Sequence, residues 1–297
     1  MSIKKITKLV IPAAGYGTRF LPATKSLAKE MIPILNVPTI HYLVKEAIDS
    51  GIKEIIIVVS SQKNSIIDYF DHSFELETVL KQKNKVELYK MVSSISNMTN
   101  VVFIRQKHAK GLGDAISYVK QIVNNEPFAV ILGDDVVFTQ KNQPTAIKQC
   151  IDAYYKHKCS ILGVQPVEKE KTKLYGIIEP QNKKISKKTF KVKDMVEKPD
   201  VDQAPSNYAA LGRYILTPDI FDALAKCKPD KSGEIQLTSA LKTIAKTSGL
   251  YACNFSGKRY DIGSTEGYLQ ATLHKALEDK KLAVILKDFL KKQIIWK

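Results

Sequence analysis

Cysteine and histidine are scarce in this chain of 297 residues. It has four cysteines, none at a C-x-x-C spacing, and five histidines without an H-x-x-x-H pattern. Four scattered cysteines in a chain of this length are no disulfide framework, and a zinc site is disfavoured because the usual ligand spacings are missing. These absences favour a reduced, cytoplasmic protein over a secreted one.

Long apolar runs are missing as well. The longest aliphatic run, at 55–59, is far shorter than the roughly 20 residues that a membrane helix needs. The N-terminal stretch MSIKKITKLVIP has neither the long apolar centre nor the cleavage signature of a signal peptide. We therefore expect a chain without a membrane partner and without a secretory signal.

Acidic residues are outnumbered by basic ones. Lysine and arginine total 46 against 30 for aspartate and glutamate, which gives a net charge of +16. A basic excess suits nucleic acid, a membrane surface or anionic small substrates. The lysines are spread along the chain and are not interleaved with aromatic residues, which favours a generally lysine-rich surface; a stripe that binds a polyanion remains the alternative. The hydrophobic content of 44% is ordinary for a globular protein.

The order of apolar segments indicates an α/β fold. A strand at 6–11, a glycine loop, a helix at 39–50 and a strand at 55–59 form a βαβ unit, which implies parallel strands and a right-handed crossover. The further segments are strands at 101–104, 128–132, 161–165, 208–216 and 251–255, helices at 113–123, 145–155, 219–226, 238–247, 265–279 and 282–295, helices within 66–98, and a hairpin over 174–199. We expect one domain over 1–297: a Rossmann-like mixed, mainly parallel sheet flanked by helices, with an inserted β-hairpin and C-terminal helices.

A glycine-rich loop follows the first predicted strand, in AAGYGTRFLPATKSLAKEM at 13–31. Backbone N–H groups approach a phosphate closely where no side chain intervenes, as at Gly15 and Gly17. The dinucleotide fingerprint does not fit because Phe20 occupies the place of its third small residue, and no Gly-Lys-Ser/Thr string marks a Walker loop. Arg19 and Lys29 add a guanidinium fork and a mobile ammonium, both suited to phosphate oxygens. The loop therefore predicts a binding site for a phosphate chain.

Carboxylates at two places are candidates for a metal site. Asp134 and its neighbour Asp135 end the apolar strand in AVILGDDVV, and ligands of open α/β sheets lie beyond the carboxyl ends of the strands. A carboxylate there is a good hard ligand for Mg²⁺, although a turn aspartate that caps the next segment would look the same. Asp261, in RYDIGSTEGY, follows a short extended segment, and helix capping explains it equally well. Two such carboxylates at one phosphate site would favour a metal.

The predicted hairpin closes on the sequence VEKP. Glu197 and Lys198 place a carboxylate beside an ammonium, which suits a sugar phosphate with hydroxyls at one end and a phosphate at the other. An edge strand with alternating charge is the alternative. Gly176 and Gly212 would let the backbone contact a flat sugar face, although strand glycines more often have no such role.

The segment RQKHAKGLGDA at 105–115 could hold a nucleobase. Gln106 presents both a donor and an acceptor, which suits the Watson–Crick edge of uracil or thymine. Gly111 would leave room for a stacked base.

Taken in this order, the motifs resemble one family. The blocks are IPAAGYGTRFLPATKSLAKEMIPI, EIIIVVSSQKNSIIDYFD, AKGLGDA, VEKP, APSNYAALGRYILTP, GEIQLTSAL and YDIGSTEGYLQA. Over nearly its whole length the chain resembles the sugar-1-phosphate nucleotidyltransferases, and among these the bacterial UTP–glucose-1-phosphate uridylyltransferases. The resemblance implies UTP and glucose 1-phosphate as substrates, UDP-glucose and pyrophosphate as products, and Mg²⁺ as cofactor. It also implies a homo-oligomer, either a dimer or a tetramer, and no nucleic-acid partner.

The resemblance gives each matched residue a role. Residues 1–165 would form a nucleotide-binding half, 166–265 a sugar-phosphate-binding half, and 266–297 the C-terminal helices. The residues expected at the nucleotide are Ala13, Ala14, Gly15, Gly17, Thr18, Arg19, Lys29 and Glu30, with Gln106 and Gly111 at the base. Those expected at the sugar are Gly176, Glu197, Lys198 and Gly212, and the expected metal ligands are Asp134 and Asp261. Arg19, Lys29 and Lys198 would be the catalytic residues.

Three positions stand out against the family pattern. Gly133 stands where proline is expected, and Asp135 is added beside Asp134, so either Asp135 or Asp261 could complete the metal shell. Glu30 stands where thymidylyltransferases carry glutamine, which favours UTP and glucose. A nucleotidyltransferase that uses dTTP or another sugar phosphate is the first alternative, and a non-catalytic basic protein that binds nucleic acid is the second.

Overall fold

The computed structural model describes residues 4–182, 185 and 187–294. Its strands are β1 (Lys8–Ala13), β2 (Pro33–Ile34), β3 (Val37–Pro38), β4 (Glu54–Val59), β5 (Asn100–Arg105), β6 (Phe128–Ile131), β7 (Asp135–Phe138), β8 (Ser160–Pro166), β9 (Gly176–Pro180), β10 (Thr189–Glu197), β11 (Tyr208–Leu216), β12 (Leu250–Asn254) and β13 (Lys258–Asp261). Its helices are α1 (Thr39–Asp49), α2 (Asn64–Phe70), α3 (Phe74–Gln82), α4 (Val86–Ser96), α5 (Leu112–Ser117), α6 (Lys120–Val123), α7 (Ala146–His157), α8 (Ile220–Ala225), α9 (Leu237–Lys246), α10 (Thr265–Glu278) and α11 (Lys280–Ile294). Residues 1–3 and 295–297, at the two ends of the predicted domain, lie outside the described residues. So do residues 183, 184 and 186, in the turn of the predicted hairpin.

Nine of the described strands form one sheet, in the order β5-β4-β1-β6-β11-β8-β12-β10-β9. Strands β5, β4, β1 and β6 are mutually parallel, and so are β8 and β12. Strand β11 runs antiparallel to β6 and β8, and β10 runs antiparallel to β12 and β9. Since β10 and β11 alone in this sheet run against the other strands, the prediction of a mixed, mainly parallel sheet is confirmed.

Both faces of the sheet are buried, which explains the continuous aliphatic runs in its strands. In β1, Leu9 and Ile11 pack into one hydrophobic cluster with α1 and α7, whereas Val10 packs into the opposite cluster with α5, α8 and α9. Side chains alternate between the two faces of a strand, so a strand covered on both sides needs apolar residues at every position. The strand predicted at 6–11 is β1, shifted toward the glycine loop.

The predicted hairpin is formed by β9 and β10. Gly176 lies opposite Glu197 in this antiparallel pair, so two of the predicted sugar residues are neighbours across the ladder. Strand β9 also returns to β11, where Ile177 pairs with Ala209. The second half of the sheet therefore closes on itself beside the end of the hairpin. The division of the chain into two functional halves stays a prediction.

Two local features differ from the sequence-based expectation. The helix predicted at 113–123 is broken into α5 and α6. At the break the Val119 N–H donates to the Ile116 carbonyl, three residues back, and Ser117 Oγ donates to the Gly113 carbonyl at 3.0 Å. Such local bonds compete with the regular helical ladder. The antiparallel pair β7–β13 was not predicted, because each strand has only four residues and its partner lies far along the chain.

The C-terminal helices α10 and α11 end the described chain, as predicted. They leave a row of apolar side chains largely exposed: Leu269, Leu273, Leu277, Val284, Ile285, Phe289 and Leu290. Across residues 4–182, 185 and 187–294, no helix has both the length and the apolar character that a bilayer crossing requires.

Candidate active site

The glycine loop leaves the end of β1 and turns into a short 3-10 helix, Thr18–Phe20. Gly17 has a φ of 69°, a conformation that residues other than glycine rarely adopt. Its carbonyl accepts a hydrogen bond of 2.7 Å from Thr24 Oγ1. A Cβ at this position would lie 3.2 Å from Lys29 Cβ. Gly17 therefore lets the loop fold closely against the segment that carries Lys29, whereas Gly15 has open space around it.

This loop forms one wall of a cavity of about 420 Å³. The other walls come from the segment that precedes and begins α5 and from the residues after β6. The cavity is lined by Pro12, Ala14, Gly15, Tyr16, Gly17, Thr18, Lys29, Gln106, Ala109, Gly111, Leu112, Ala115, Leu132, Gly133, Asp134 and Glu234. Most of the residues predicted at the nucleotide are in this set, whereas Ala13 is buried behind the loop.

Four charged side chains meet beside this cavity. Lys29 Nζ donates to Asp134 Oδ2 at 2.7 Å, and Arg19 Nη2 approaches the same oxygen at 3.3 Å. Arg19 Nη1 also donates to Asp261 Oδ2 at 3.4 Å. The two carboxylates predicted as metal ligands come from distant parts of the sequence and converge on one guanidinium.

The charges of this cluster hold each other in the ionised form. Burial alone would raise the pKa of Asp134, but the charge and hydrogen bond of Lys29, together with Arg19, outweigh burial and lower the pKa below its ordinary value. Burial alone would lower the pKa of Lys29, but the negative charges of Asp134 and Glu30 raise it instead. Asp134 and Lys29 are therefore both charged at neutral pH.

The donor set fits a divalent metal ion. Carboxylate oxygens are hard ligands, and Mg²⁺ is commonly held by one or two carboxylates together with phosphate oxygens and water. Within residues 4–182, 185 and 187–294, no three His, Cys, Asp or Glu side chains are grouped as a metal site. The protein thus offers Asp134 and Asp261, and the Ile262 N–H ties the two segments by donating to the Asp134 carbonyl at 2.8 Å.

A smaller cavity of about 150 Å³ adjoins the first. Leu112 and Leu132 line both cavities, so the two are neighbours. Gly176 and Glu197 line the smaller one, where Glu197 Oε2 accepts a hydrogen bond from Thr238 Oγ1. A Cβ on Gly176 would lie 3.0 Å from that carboxylate oxygen. The structure therefore brings two of the predicted sugar residues to the edge of the cavity beside the glycine loop.

Lys198 lies next to this cavity, but its side chain is 61% exposed. Its ammonium is 3.9 Å from Glu197 Oε1, and its backbone N–H donates to the Tyr175 carbonyl at 3.0 Å. Gly212 does not line this cavity and packs against Asp135, since a Cβ there would lie 2.7 Å from Asp135 Oδ2. The roles of Lys198 and Gly212 at the sugar stay predictions.

A third cavity, of about 530 Å³, lies on the far side of Arg19 and Asp261. Tyr175 and Arg259 line it together with those two residues. Since Tyr175 also lines the smaller cavity, the third cavity adjoins both the charged cluster and the smaller cavity.

The two residues predicted at the base line the cavity beside the glycine loop. Gln106 is almost fully buried, and its Nε2 donates to Asp114 Oδ2 at 2.6 Å, which leaves its side-chain carbonyl available as an acceptor. Gly111 has a φ of 91°, and a Cβ there would lie 2.9 Å from the Ile235 carbonyl. Glycine is therefore required at this position by the fold, and its place beside a base stays a prediction.

The sequence of this chain matches a known family over most of its length. A profile of the family described as Nucleotidyl transferase matches residues 8–278. The chain belongs to the nucleotidyl transferase family. The resemblance inferred from the motifs is thereby confirmed.

Relatives of this nucleotidyl transferase match it nearly from end to end. A UTP--glucose-1-phosphate uridylyltransferase of Mycoplasma genitalium is 47% identical over 279 residues, which cover 94% of each chain. A UTP--glucose-1-phosphate uridylyltransferase 2 of Staphylococcus saprophyticus is 47% identical over 290 residues, which cover 98% of this chain and 99% of the relative. A structure of UDP-glucose pyrophosphorylase complexed with UDP-glucose has a TM-score of 0.82 at 44% identity and covers 92% of this chain and 100% of its own.

Nucleotidyl transferases generally use a divalent metal ion, and the structure separates the two candidates for its second ligand. Asp261 shares Arg19 with Asp134, whereas both carboxylate oxygens of Asp135 lie 2.9 Å from Arg259 Nε. Asp135 is also only 3% exposed. Asp135 is therefore engaged in an internal ion pair, whereas the role of Asp261 as a metal ligand beside Asp134 stays a prediction.

Glu30 lies beneath the cavity beside the glycine loop of this nucleotidyl transferase, where it packs against Gly133. Its side chain is fully buried, and Lys63 Nζ donates to Oε2 at 2.9 Å while Oε1 has no hydrogen-bond partner among the described residues. Burial raises the pKa of Glu30 above its ordinary value, against the opposing charges of Lys29 and Lys63. A Cβ on Gly133 would lie 3.1 Å from Glu30 Cγ, so glycine at 133 makes room for Glu30. A direct contact of Glu30 with nucleotide stays a prediction.

Sequence reasoning missed several side chains that hold the site in place. Lys63 and Asp114 carry no local pattern that marks them, because their partners are known only from the fold. Arg259 does carry a signal. It stands two residues before Asp261, and residues at that spacing share one face of a strand.

Proposed function

We propose that this nucleotidyl transferase transfers the uridylyl group of UTP to glucose 1-phosphate and releases pyrophosphate. The observation that carries the proposal is the meeting of Lys29, Arg19 and two carboxylates beside the glycine-lined cavity, which adjoins the cavity of the hairpin. A triphosphate in the first cavity and a sugar phosphate at the second would bring their reacting phosphates to these cations. The names of the relatives support the choice of nucleotide and sugar.

The reaction needs no protein nucleophile. A phosphate oxygen of glucose 1-phosphate attacks the α-phosphorus of UTP. The new P–O bond forms as the bond from the α-phosphorus to the bridging oxygen breaks, and the electron pair leaves with pyrophosphate. Both reactants are anions, so the protein must offset their repulsion and align them. Alignment of two bound reactants can contribute about 7–11 kcal/mol to lowering the barrier.

The cations beside the glycine loop stabilise the charge that builds during this displacement. Lys29 and Arg19 are placed to donate to the phosphate oxygens of the nucleotide and of the leaving pyrophosphate. Asp134 and Asp261 would hold Mg²⁺. When bound, that ion supplies positive charge that neutralises phosphate oxygens.

The hairpin holds the second substrate. Glu197 accepts hydrogen bonds from sugar hydroxyls, and Gly176 lets the sugar approach the backbone. Lys198 is exposed, and its ammonium would align the attacking phosphate. At the other end, the carbonyl of Gln106 accepts from the N–H of the uracil ring.

A substrate panel tests this proposal. Pyrophosphate release is measured with UTP, dTTP, CTP, ATP and GTP, each combined with several hexose 1-phosphates and excess Mg²⁺. We expect UTP with glucose 1-phosphate to have the highest kcat/KM. A preference for dTTP or for another sugar would reassign the substrates. Absence of turnover with every pair, together with RNA or DNA binding that weakens steeply with salt, would favour the nucleic-acid-binding alternative.

We also propose a homo-oligomer, a dimer or a tetramer. The exposed apolar row on α10 and α11 offers a contact surface, and light scattering of the purified protein measures the mass. A monomer at micromolar concentration would reject this part of the proposal. The cytoplasmic location stays a prediction from the cysteine content.

A further inference from the structure

One arginine joins three segments around the site. Both carboxylate oxygens of Asp135 lie 2.9 Å from Arg259 Nε, and Arg259 Nη1 donates to Tyr175 Oη at 2.9 Å. The guanidinium carbon is 4.9 Å from the centroid of the Tyr175 ring. The side chain of Asp135 is 5% exposed and that of Arg259 is 14% exposed, so these contacts are shielded from water. We call these three residues the arginine bridge.

Each member of the arginine bridge is close in sequence to a residue of the site. Asp135 directly follows Asp134, and Arg259 stands two residues before Asp261 on the same strand. Tyr175 directly precedes β9 and so begins the hairpin. One guanidinium therefore contacts the segments that carry the two carboxylates and the sugar residues.

Backbone hydrogen bonds connect Tyr175 to the rest of the hairpin. The Tyr175 carbonyl accepts a hydrogen bond of 3.0 Å from the Lys198 N–H. In the next pair of the ladder Gly176 lies opposite Glu197. A displacement of Tyr175 would thus move the residues proposed to hold the sugar phosphate.

We infer that Arg259 is a positioning residue that sets the distance between the hairpin and the two carboxylates. The inference rests on the proposed function. Arg259 acts through its neighbours, since Nε is bound to Asp135 and Nη1 to Tyr175. A guanidinium is planar and its donors point in fixed directions, so it holds two partners at a defined separation. An ammonium has the same charge without this geometry.

Arg259→Lys and Tyr175→Phe test the inference. The first keeps a cation beside Asp135 and loses the fork, and the second removes only the hydroxyl. Rates of pyrophosphate release are measured against glucose 1-phosphate at saturating UTP, and against UTP at saturating glucose 1-phosphate. In each variant we expect kcat/KM for the sugar phosphate to fall about 10- to 100-fold, the size of effect that a small misplacement of a reacting group produces. The KM for UTP should not change.

The double variant gives a second readout. Because both substitutions break one contact, the double variant should lose no more than the more severe single variant. Residues that act independently would instead give losses that multiply.

A matched control is Glu46→Gln, which weakens another buried arginine pair. Arg213 Nη2 lies 2.7 Å from Glu46 Oε2, and neither residue lines the three cavities described above. This variant should unfold at a lower temperature and keep wild-type kcat/KM for both substrates. It shows what loss of a buried ion pair does when only the fold is affected.

Several results would overturn the inference. One is an unchanged kcat/KM for the sugar phosphate in folded Arg259→Lys, or a fall in that value in Tyr175→Phe alone. Another is a double variant in which the two falls in kcat/KM multiply. A third is a KM for UTP that rises as much as the KM for the sugar phosphate. If Arg259→Lys does not fold, Asp135→Asn takes its place, since it keeps the shape and weakens the same pair. A wild-type protein without turnover would reject the proposed function itself, whereas an active wild type with variants that behave like Glu46→Gln would reject only the role of Arg259.

Discussion

Asp134→Asn is the most direct test of the charged cluster, because it keeps the shape of the side chain and removes one negative charge. Lys29 Nζ at 2.7 Å and Arg19 Nη2 at 3.3 Å both lose their anionic partner at this oxygen. A hydrogen bond to a charged group contributes about 1.5–3 kcal/mol. We expect the free energy of unfolding of the ligand-free protein to fall by about that amount, which lowers the Tm by several degrees.

The loss should depend on pH in one direction. The pKa of Asp134 in the folded protein lies below its ordinary value of 3.8. The ionised carboxylate therefore stabilises the fold above the unfolded-state pKa, and this contribution disappears as the pH falls through the lower folded-state value. The difference between wild type and Asp134→Asn should be constant near neutral pH and shrink below about pH 3.8.

Activity should fall far more than stability does. Loss of one group that stabilises transition-state charge typically lowers kcat about 10²- to 10³-fold, and we expect at least this for pyrophosphate release from UTP and glucose 1-phosphate. Urea denaturation across a pH series measures the stability in parallel. The control is Glu126→Gln, whose partner Lys8 also lies at 2.7 Å but at the opposite end of β1 from the glycine loop. A kcat of Asp134→Asn within tenfold of wild type, with Glu126→Gln unchanged, would refute the place of Asp134 in the catalytic centre.

Three further substitutions test other parts of the site. Gly263→Ala puts a Cβ against the Arg19 guanidinium and Asp134 Oδ2, so kcat should fall about 100-fold and the Tm should fall no more than in Asp134→Asn; normal turnover would show that Arg19 is not required there. Glu30→Gln leaves the buried ammonium of Lys63 without its counter-charge, and urea denaturation should show a loss of about 3–5 kcal/mol, whereas a loss below about 1 kcal/mol would mean that water replaces the carboxylate. Gly111→Ala forces an unfavourable φ of 91° and should cost about 1–3 kcal/mol in the same assay; an unchanged midpoint would contradict the backbone geometry.

The frame of the fold was predictable because its signals are local. Strand β4 is aliphatic at nearly every position, since it is covered on both faces, and the glycine after β1 marks the turn into the loop. Helix α1 follows with apolar residues on one face and ends before Gly51. The carboxyl ends of parallel strands lie at one edge of a sheet, so the glycine loop and Asp134 could be predicted from sequence alone to lie near each other.

The buried ion pairs could not be predicted from the sequence, because the two partners of each pair lie far apart along the chain. Arg213 stands in an apolar strand and is fully buried, and its two hydrogen bonds of 3.0 and 2.7 Å go to Glu46, 167 positions away. Local periodicity cannot reveal such a pair, since each residue alone looks like a surface charge. The same holds for Lys63 with Glu30 and for the arginine bridge.

The glycines of the site are needed for packing against charged side chains as well as for access of a ligand. The sequence suggested that they leave room for phosphate or sugar. In the structure, a Cβ on several of them would also meet the side chain of a charged residue within 3.2 Å. Examples are Gly17 with Lys29, Gly176 with Glu197 and Gly212 with Asp135; Gly263, which the sequence did not single out, would meet Arg19 and Asp134 in the same way. A side chain at any of these positions would therefore shift the protein's own ionic groups before it reached a substrate, and the glycine pattern records the packing of the charged cluster as well as the approach of a ligand.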